Sequence, residues 1–202
     1  MATIGLDKLY VAAITEDDEG IETYGTPEVL AKAISADIEI ETTEAILYGD
    51  DAIAEQIKEF SSGTLTLNTC DLLPETAAIL LGCEPDSNGV LVSSDKDEAT
   101  AVAIGFRARK RGKTYRYIWL YRVVFAVPAE NYVTKGESIE FQTPTIEGTI
   151  ERRHKPDNRA GGDSYPWKAE ITGDGTGANS STISGWFTEV YEPEFTTQGS
   201  DM

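Results

Sequence analysis

The sequence predicts a mainly β protein, a sandwich or barrel with one short flanking α-helix, and three observations lead there. First, "ADIEIETTEAILYGDD" (Ala36–Asp51) alternates: Ile38, Ile40, Thr42, Glu44, Ile46 and Tyr48 fall on one face of an extended chain. Asp37, Glu39, Glu41, Thr43, Ala45 and Leu47 fall on the other, and period two is the pattern of a strand with one buried face. Second, "TYRYIWLYRVVFAVP" puts Tyr115, Tyr117, Trp119, Tyr121, Val123 and Phe125 on one side and Arg116, Ile118, Leu120, Arg122 and Val124 on the other. Both sides are substantially apolar, as in a central strand covered on both faces. Third, turn residues recur between short apolar runs, and one segment alone carries helix start and stop signals. At 202 residues, 40% hydrophobic and 26% charged, the chain can bury one sizeable core.

The elements follow in order. "IGLDKLYVAAI" (4–14) reads as a strand or extended arm, and "TEDDEGIETYGTP" as a turn-rich piece whose acids lack the spacing of an EF-hand. Residues 29–35 lead into the Ala36 strand. Between Ala52 and Ser62, Ile53, Ile57 and Phe60 have helical spacing, while Ile53, Glu55, Ile57 and Glu59 fit alternation. A long hairpin turning at Gly49–Asp51 is preferred over a helix, because Gly-Asp-Asp is competent turn chemistry and Leu65 and Leu67 continue the alternation. "LLPETAAILLG" is the helix, with Pro74 at its first position, Glu75 favoured by the dipole and Gly82 as the stop. Strands are expected at Gly89–Ser93 and Thr100–Arg109, then a hairpin over "KRGK" into the Tyr115 strand, ended by Pro128. Glu137–Arg153 reads as one long extended segment, with Pro144 marking an edge, bend or bulge. Loops "HKPDNRAGGDS" and "TGDGTGANSST" bracket the short strand "YPWKAEI", and "ISGWFTEVYEP" is the last strand candidate. Residues 1–195 form a single β domain, and 196–202 a frayed tail.

Charge and chemistry narrow the function. Net charge is −18; residues 1–104 hold 22 acids and 4 bases, residues 105–202 hold 13 of each. The acidic field disfavours ordinary nucleic-acid binding by the whole chain. No apolar run approaches the roughly 20 residues that span a bilayer, no signal peptide is read at the N-terminus, and synthesis in cytoplasm is expected. Cys70 and Cys83 match no zinc or redox spacing and are expected to be unlinked thiols. His154, the only histidine, sits in "RRHKPDN" without a catalytic signature, and "GDGTGANSS" lacks the Gly-Lys-Ser/Thr ending of a phosphate loop. No catalytic residue, cofactor or metal is therefore expected. The run "RARKRGKTYR" gathers Arg107, Arg109, Lys110, Arg111, Lys113 and Arg116 on one hairpin. It can be a nucleic-acid patch, a solubilising tip, or a tip that meets an acidic surface on another copy; the charge distribution favours the third.

Taken together, "MATIGLDKLYVAAI", "EAILYGDD" with "EFSSGTLTLNTCDL", "AIGFRARKRGKTYRYIWLYRVVFAVP", "KGESIEFQTPTIEGTIERR", "YPWKAEI" and "GWFTEVYEP" resemble, in order and spacing, the major tail tube protein of long-tailed bacteriophages. The resemblance spans nearly the whole chain. It implies a β-sandwich with a flanking helix and long hairpin strands that complete a β-barrel between subunits. Six copies would form a ring, rings would stack into a tube, and double-stranded DNA would pass transiently through it without sequence-specific contact. Location in the virion tail follows, with tape measure, tail terminator and distal tail proteins as partners and no membrane.

On that reading Asp37, Glu39 and Glu41 line the bore, with Glu140, Glu147 and Glu151 (and Gln142 and Thr149) as further lining candidates. Asp50, Asp51, Arg109, Lys110, Arg111 and Lys113 are the candidates for ring stacking and intersubunit contact. The lining strands would be Ala36–Gly49, Asp51–Asn68, Tyr115–Val127 and Glu137–Arg153. Four strands from each of six copies close a barrel roughly 48 Å across at the backbone, roughly 35 to 40 Å clear. The alternatives are a monomeric β-sandwich binding module for carbohydrate or adhesion, with Trp167 and Trp186 as groove aromatics, and the inner tube of a contractile tail or injection device.

Overall fold

Alternating apolar residues build nine strands among the described residues of this computed structural model, namely 3–49, 52–129, 134, 143–157, 159, 162–176 and 179–195, with side chains described outside 47–55. In chain order these are β1 (Thr3–Glu16), β2 (Glu22–Tyr24), β3 (Glu28–Ala31), β4 (Ala33–Gly49) and β5 (Ala52–Thr69). Helix α1 (Pro74–Leu81) follows, then β6 (Ala101–Lys110), β7 (Tyr115–Phe125), β8 (Thr145–Glu151), β9 (Lys168–Gly173) and helix α2 (Ser180–Gly185). The chain is mainly β, as the alternation predicts.

The strands form one antiparallel sheet in the order β2-β1-β6-β7-β8-β5-β4, with β3 on β1 and β9 on β7. Because β3 is bonded to β1 and passes through Lys32 into β4, which is bonded to β5, the ladders complete a circuit. This closure is barrel-like and removes most sheet edges. Inside lie Leu9, Val11, Leu65, Leu67, Ile104 and Leu120, each at most 1% exposed, and each contributes about 1.5–3 kcal/mol by leaving water. Leu80 of α1 joins this interior. The helix starts at Pro74, where a missing N–H costs nothing, and stops at Gly82, whose φ of 68° suits glycine.

A second core lies outside the barrel. Ala12, Ala103, Tyr117, Trp119 and Tyr121 are covered there by Ile183, Trp186 and Val190 from α2 and the strap after it. Trp119 Nε1 donates to the Trp186 carbonyl at 2.8 Å and Tyr121 Oη to the Tyr191 carbonyl at 2.8 Å. Burial pushes the Tyr121 phenol well above its ordinary range, so it stays a donor. A Cβ at Gly105 would fall 2.6 Å from the Trp119 ring, so the close stacking of β6 under that indole requires glycine.

The structure corrects several expectations. The Tyr115 strand is central and covered on both sides, but its faces do not persist along its length. Val102 pairs with Val123 and Ile104 with Leu120, so one residue of β6 opposes two of β7. This bulge shifts the phase: Tyr117, Trp119 and Tyr121 face outward, whereas Val123 and Phe125 join Ile118 and Leu120 inside. Gly89–Ser93 is not a strand; a single Pro85–Leu91 bridge closes a turn in which Asp86 accepts from the Asn88 and Val90 amides. "ISGWFTEVYEP" is not a strand either. Ile183, Trp186, Phe187 and Val190 are spaced i, i+3, i+4 and i+7, the helical period, and pack one stripe onto the sheet. Strand β8 begins only after Pro144, and residues 135–142 lie outside the described set.

The preferred hairpin is the observed one. Strand β4 pairs β5 from Ala33↔Thr69 to Gly49↔Ala52, with no helix between. Both cysteines are free, Cys70 exposed and Cys83 buried. Hydrogen bonding to Asp97 pushes the Cys83 thiol up.

Candidate functional site

The outer face of β4, β5 and β8 carries most of the nominated acids, and the register places them in rows. Asp37 pairs with Thr66, and Thr66 with Glu147; Glu39 pairs with Thr64, and Thr64 with Thr149. Glu41 pairs with Ser62, whose hydroxyl donates to Glu41 Oε2 at 3.1 Å. A polar row below them is hydrogen-bonded throughout: Asn68 Nδ2 donates to Ser35 Oγ at 2.9 Å and Thr145 Oγ1 to Asn68 Oδ1 at 2.5 Å. In the Asp37–Thr66–Glu147 row carboxylates thus flank a hydroxyl across three strands, and in the Glu39–Thr64–Thr149 row one carboxylate is followed by two hydroxyls. Acids one strand apart from each other, such as Asp37 and Glu147, sit roughly 10 Å apart by strand spacing. That exceeds the screening length of about 8 Å at physiological salt, so the hydroxyl strand between them relieves their repulsion.

Asp37, Glu39, Glu41 and Glu147 are exposed and, among the described residues, enter no ion pair. The opposite face of the same stretch holds the compensated pair, Glu44 with Lys58 at 3.2 Å. Glu151 is different. Its Oε2 accepts from Arg122 Nε at 3.0 Å, which ties it to the body of the barrel. Glu140 lies outside the described residues.

Beyond the barrel, β4 and β5 continue as a projecting hairpin. Strand β5 meets β8 only between Gly63 and Asn68, so Ala52–Ser61 has β4 as its one strand partner among the described residues. Ile46 and Ile57 are 40% and 48% exposed on it, and Ile40, where β8 still pairs, is 39% exposed. Phe60, at its base, stacks on Trp167 with centroids 4.7 Å apart. Long unpaired backbone with exposed apolar side chains is a ready template for another chain. Asp50 and Asp51, between β4 and β5 in sequence, lie outside the described residues.

The basic hairpin lies elsewhere on the barrel, between β6 and β7. Arg109, Arg111 and Lys113 are exposed, and among the described residues none of them is in an ion pair. Lys110 Nζ reaches only a long contact to Thr172 Oγ1 at 3.5 Å. Arg107, by contrast, is held by Asp7 through Nε at 2.7 Å and Nη2 at 2.5 Å, and that bond keeps its guanidinium well above the ordinary value.

Sequence reasoning missed the Arg122 clamp. The β7 bulge turns this side chain outward beside Tyr121, where Nη1 contacts Glu16 at 2.7 Å and the fully buried Glu22, and Nε contacts Glu151. Burial opposes its charge, yet the three carboxylates hold the guanidinium above its ordinary value. Glu22 Oε2 also accepts from the His154 amide at 2.8 Å. Glu16, Glu22 and His154 bring donor atoms within 4.8 Å of one another, but Arg122 already occupies both carboxylates on that side. The arrangement ties β1, β2, β7 and β8 together, and His154 is one of its edges.

No family model and no curated protein matches the chain.

The four nominated strands are neighbours in the sheet, in the order β7-β8-β5-β4. They do not form one continuous exposed wall. Tyr117, Trp119 and Tyr121 are buried under α2 and its strap, so the exposed polar face runs over β4, β5 and β8 and reaches β7 only near Val124 and Arg122. Among the described residues no helix is long and apolar enough to cross a membrane.

Proposed function

We propose that this chain is a structural virion protein whose copies join through the β4–β5 hairpin into hexameric rings, stacked as the tail tube of a long-tailed phage. The acidic face of β4, β5 and β8 lines the bore through which duplex DNA travels. The observation that carries the reading is the contiguity of Asp37, Glu39, Glu41 and Glu147 on one exposed face that continues into a hairpin with unpaired edges. A monomer gains nothing from a row of unpaired like charges; a conduit for a polyanion does. Duplex DNA carries one charge per about 1.7 Å, and a wall without cations offers no counterion release to hold it.

The exposed rows also set the bore. Three strands from each of six copies, roughly 4.8 Å apart and tilted by about 40°, close at roughly 36 Å across the backbone. Inward side chains leave roughly 25 Å, which still admits a duplex of roughly 20 Å but brings the wall close to the phosphates, within one screening length of about 8 Å. Each hairpin edge pairs with the next copy head to tail, a contact that closes on itself. Tape measure, terminator and distal tail proteins would then meet the inside and the two ends of the tube.

Sedimentation and negative-stain microscopy over a concentration series test this reading: rings and tubes are expected, and a strict monomer at all concentrations contradicts it. Charge reversal of Arg109, Lys110 and Arg111 to glutamate is expected to impair tube growth while leaving the circular dichroism and melting of the monomer unchanged, since the tip is exposed. Trp186 is only 3% exposed and Trp167 is covered by Phe60, so neither presents the open ring face on which a sugar-binding module would rely.

A further inference from the structure

The strap that follows α2 forms the wall of a groove of about 520 Å³, lined among others by Trp186, Glu189, Tyr191, Glu192 and Glu194. Its floor is an aromatic stack, Trp186 on Tyr191 with centroids 5.2 Å apart and planes 16° from parallel. Its rim is acidic. Glu192 is committed to Arg153 at 2.8 Å and Lys155 at 2.9 Å, whereas Glu189 and Glu194 are exposed and, among the described residues, enter no ion pair. The Trp186 indole N–H is itself buried and, among the described residues, has no acceptor. A buried donor left unpaired costs about 1–3 kcal/mol. The neighbouring Trp119 N–H, in the same core, is satisfied.

We infer that this groove receives the Arg109–Lys113 hairpin tip of a second copy, with Glu189 and Glu194 engaging its exposed arginines. Complementarity on the same molecule supports the pairing: among the described residues Glu189 and Glu194 in the groove enter no ion pair, and neither do Arg109 and Arg111 at the tip. An arginine suits the site better than a lysine, since its planar guanidinium forks onto a carboxylate. Tip and groove are built from different residues of one chain, so the contact is head-to-tail and can propagate from copy to copy. A loop in a groove is smaller than a stable interface of about 1,200–2,000 Å². Its part is to set register between copies already held by strand edges. The inference rests on the self-assembly proposed above and names the receiving surface.

The test compares four chains for the concentration at which tubes appear: wild type, Glu189→Lys with Glu194→Lys, Arg109→Glu with Arg111→Glu, and all four substitutions in one chain. Thermal melts confirm that each folds. Each single-sided reversal is expected to raise the onset concentration at least about tenfold, the equivalent of about 1.4 kcal/mol, and the four-fold swap to bring it back toward wild type. Assembly of the Glu189/Glu194 variant at the wild-type concentration overturns this inference and leaves the tube assignment standing. Loss on both sides without recovery in the swap also overturns it, since the two patches then meet different partners. A wild-type chain that never assembles removes both.

Discussion

Under the proposed assembly, lysine at Asp37, Glu39 and Glu41 together is expected to turn a tube that duplex DNA passes into one that grips it. The three side chains are exposed and share one face of β4, so the monomer should fold and melt as wild type does. Assembled copies would present a ring of cations in place of anions. With about 6–10 phosphates neutralised, retention should fall by roughly 10³–10⁵ between about 50 and 200 mM salt, the signature of counterion release. Co-sedimentation of tubes with short duplexes reads this directly. Wild-type tubes should leave the DNA in solution at every salt concentration. The same substitutions on the outer skin of a particle would also bind DNA, but there the bound duplex would decorate the tubes and thicken them in micrographs. A duplex held inside leaves the outer diameter unchanged.

Removal of the Arg122 side chain is expected to be the most destabilising single change outside the hydrophobic core. Arg122→Ala leaves Glu22, with no exposed surface, as an uncompensated buried charge beside Glu16 and Glu151. Breaking a buried pair from one side costs about 3–5 kcal/mol. For a domain of this size that lowers the melting temperature by roughly 6–20 °C. Adding Glu22→Gln should recover much of the loss, because it removes the stranded charge while keeping an acceptor for the His154 amide. Thermal denaturation of the two variants checks both parts. A small loss in Arg122→Ala, or no recovery in the pair, would mean that the clamp contributes little beyond packing.

The parts of the fold that were readable from sequence are those where one local rule dominates. Leu65 and Leu67 alternate with Thr64, Thr66 and Asn68, and nothing nearby interrupts the period. Pro74 and Gly82 frame α1 with backbone preferences that tertiary contacts do not override. The misreadings fall where two rules compete. One inserted residue in β7 exchanges the faces of Val123 and Phe125, and a bulge leaves no mark in composition. Its consequence, the outward Arg122, was therefore hidden as well. The segment from Ile183 to Val190 holds enough β-branched and aromatic residues to mimic a strand, yet its spacing of three and four residues was the informative signal. Gly89–Ser93 has strand-like alternation, but it is too short to pay for its ordering without a neighbouring strand, and the Asp86 side chain closes it as a turn.

The candidate site divides in the same way. Alternation alone put Asp37, Glu39 and Glu41 on one face, and the register then brought Glu147 into line with them across Thr66. That juxtaposition depends on strand order, which one sequence does not contain. The attachment of Glu151 to Arg122, and the burial of Tyr117, Trp119 and Tyr121 under the strap, depend on pairings between residues 29 to about 70 positions apart. Local pattern is silent about such contacts.

The most direct measurement is a reconstruction of the particles formed at high protein concentration, at a resolution that follows the β4 side chains. Asp37, Glu39 and Glu41 should point into a central channel wide enough for a duplex, with β4–β5 hairpins of adjacent copies joined edge to edge. If those carboxylates lie on the exterior, or the hairpins stand apart with no strand pairing between copies, the conduit assignment fails.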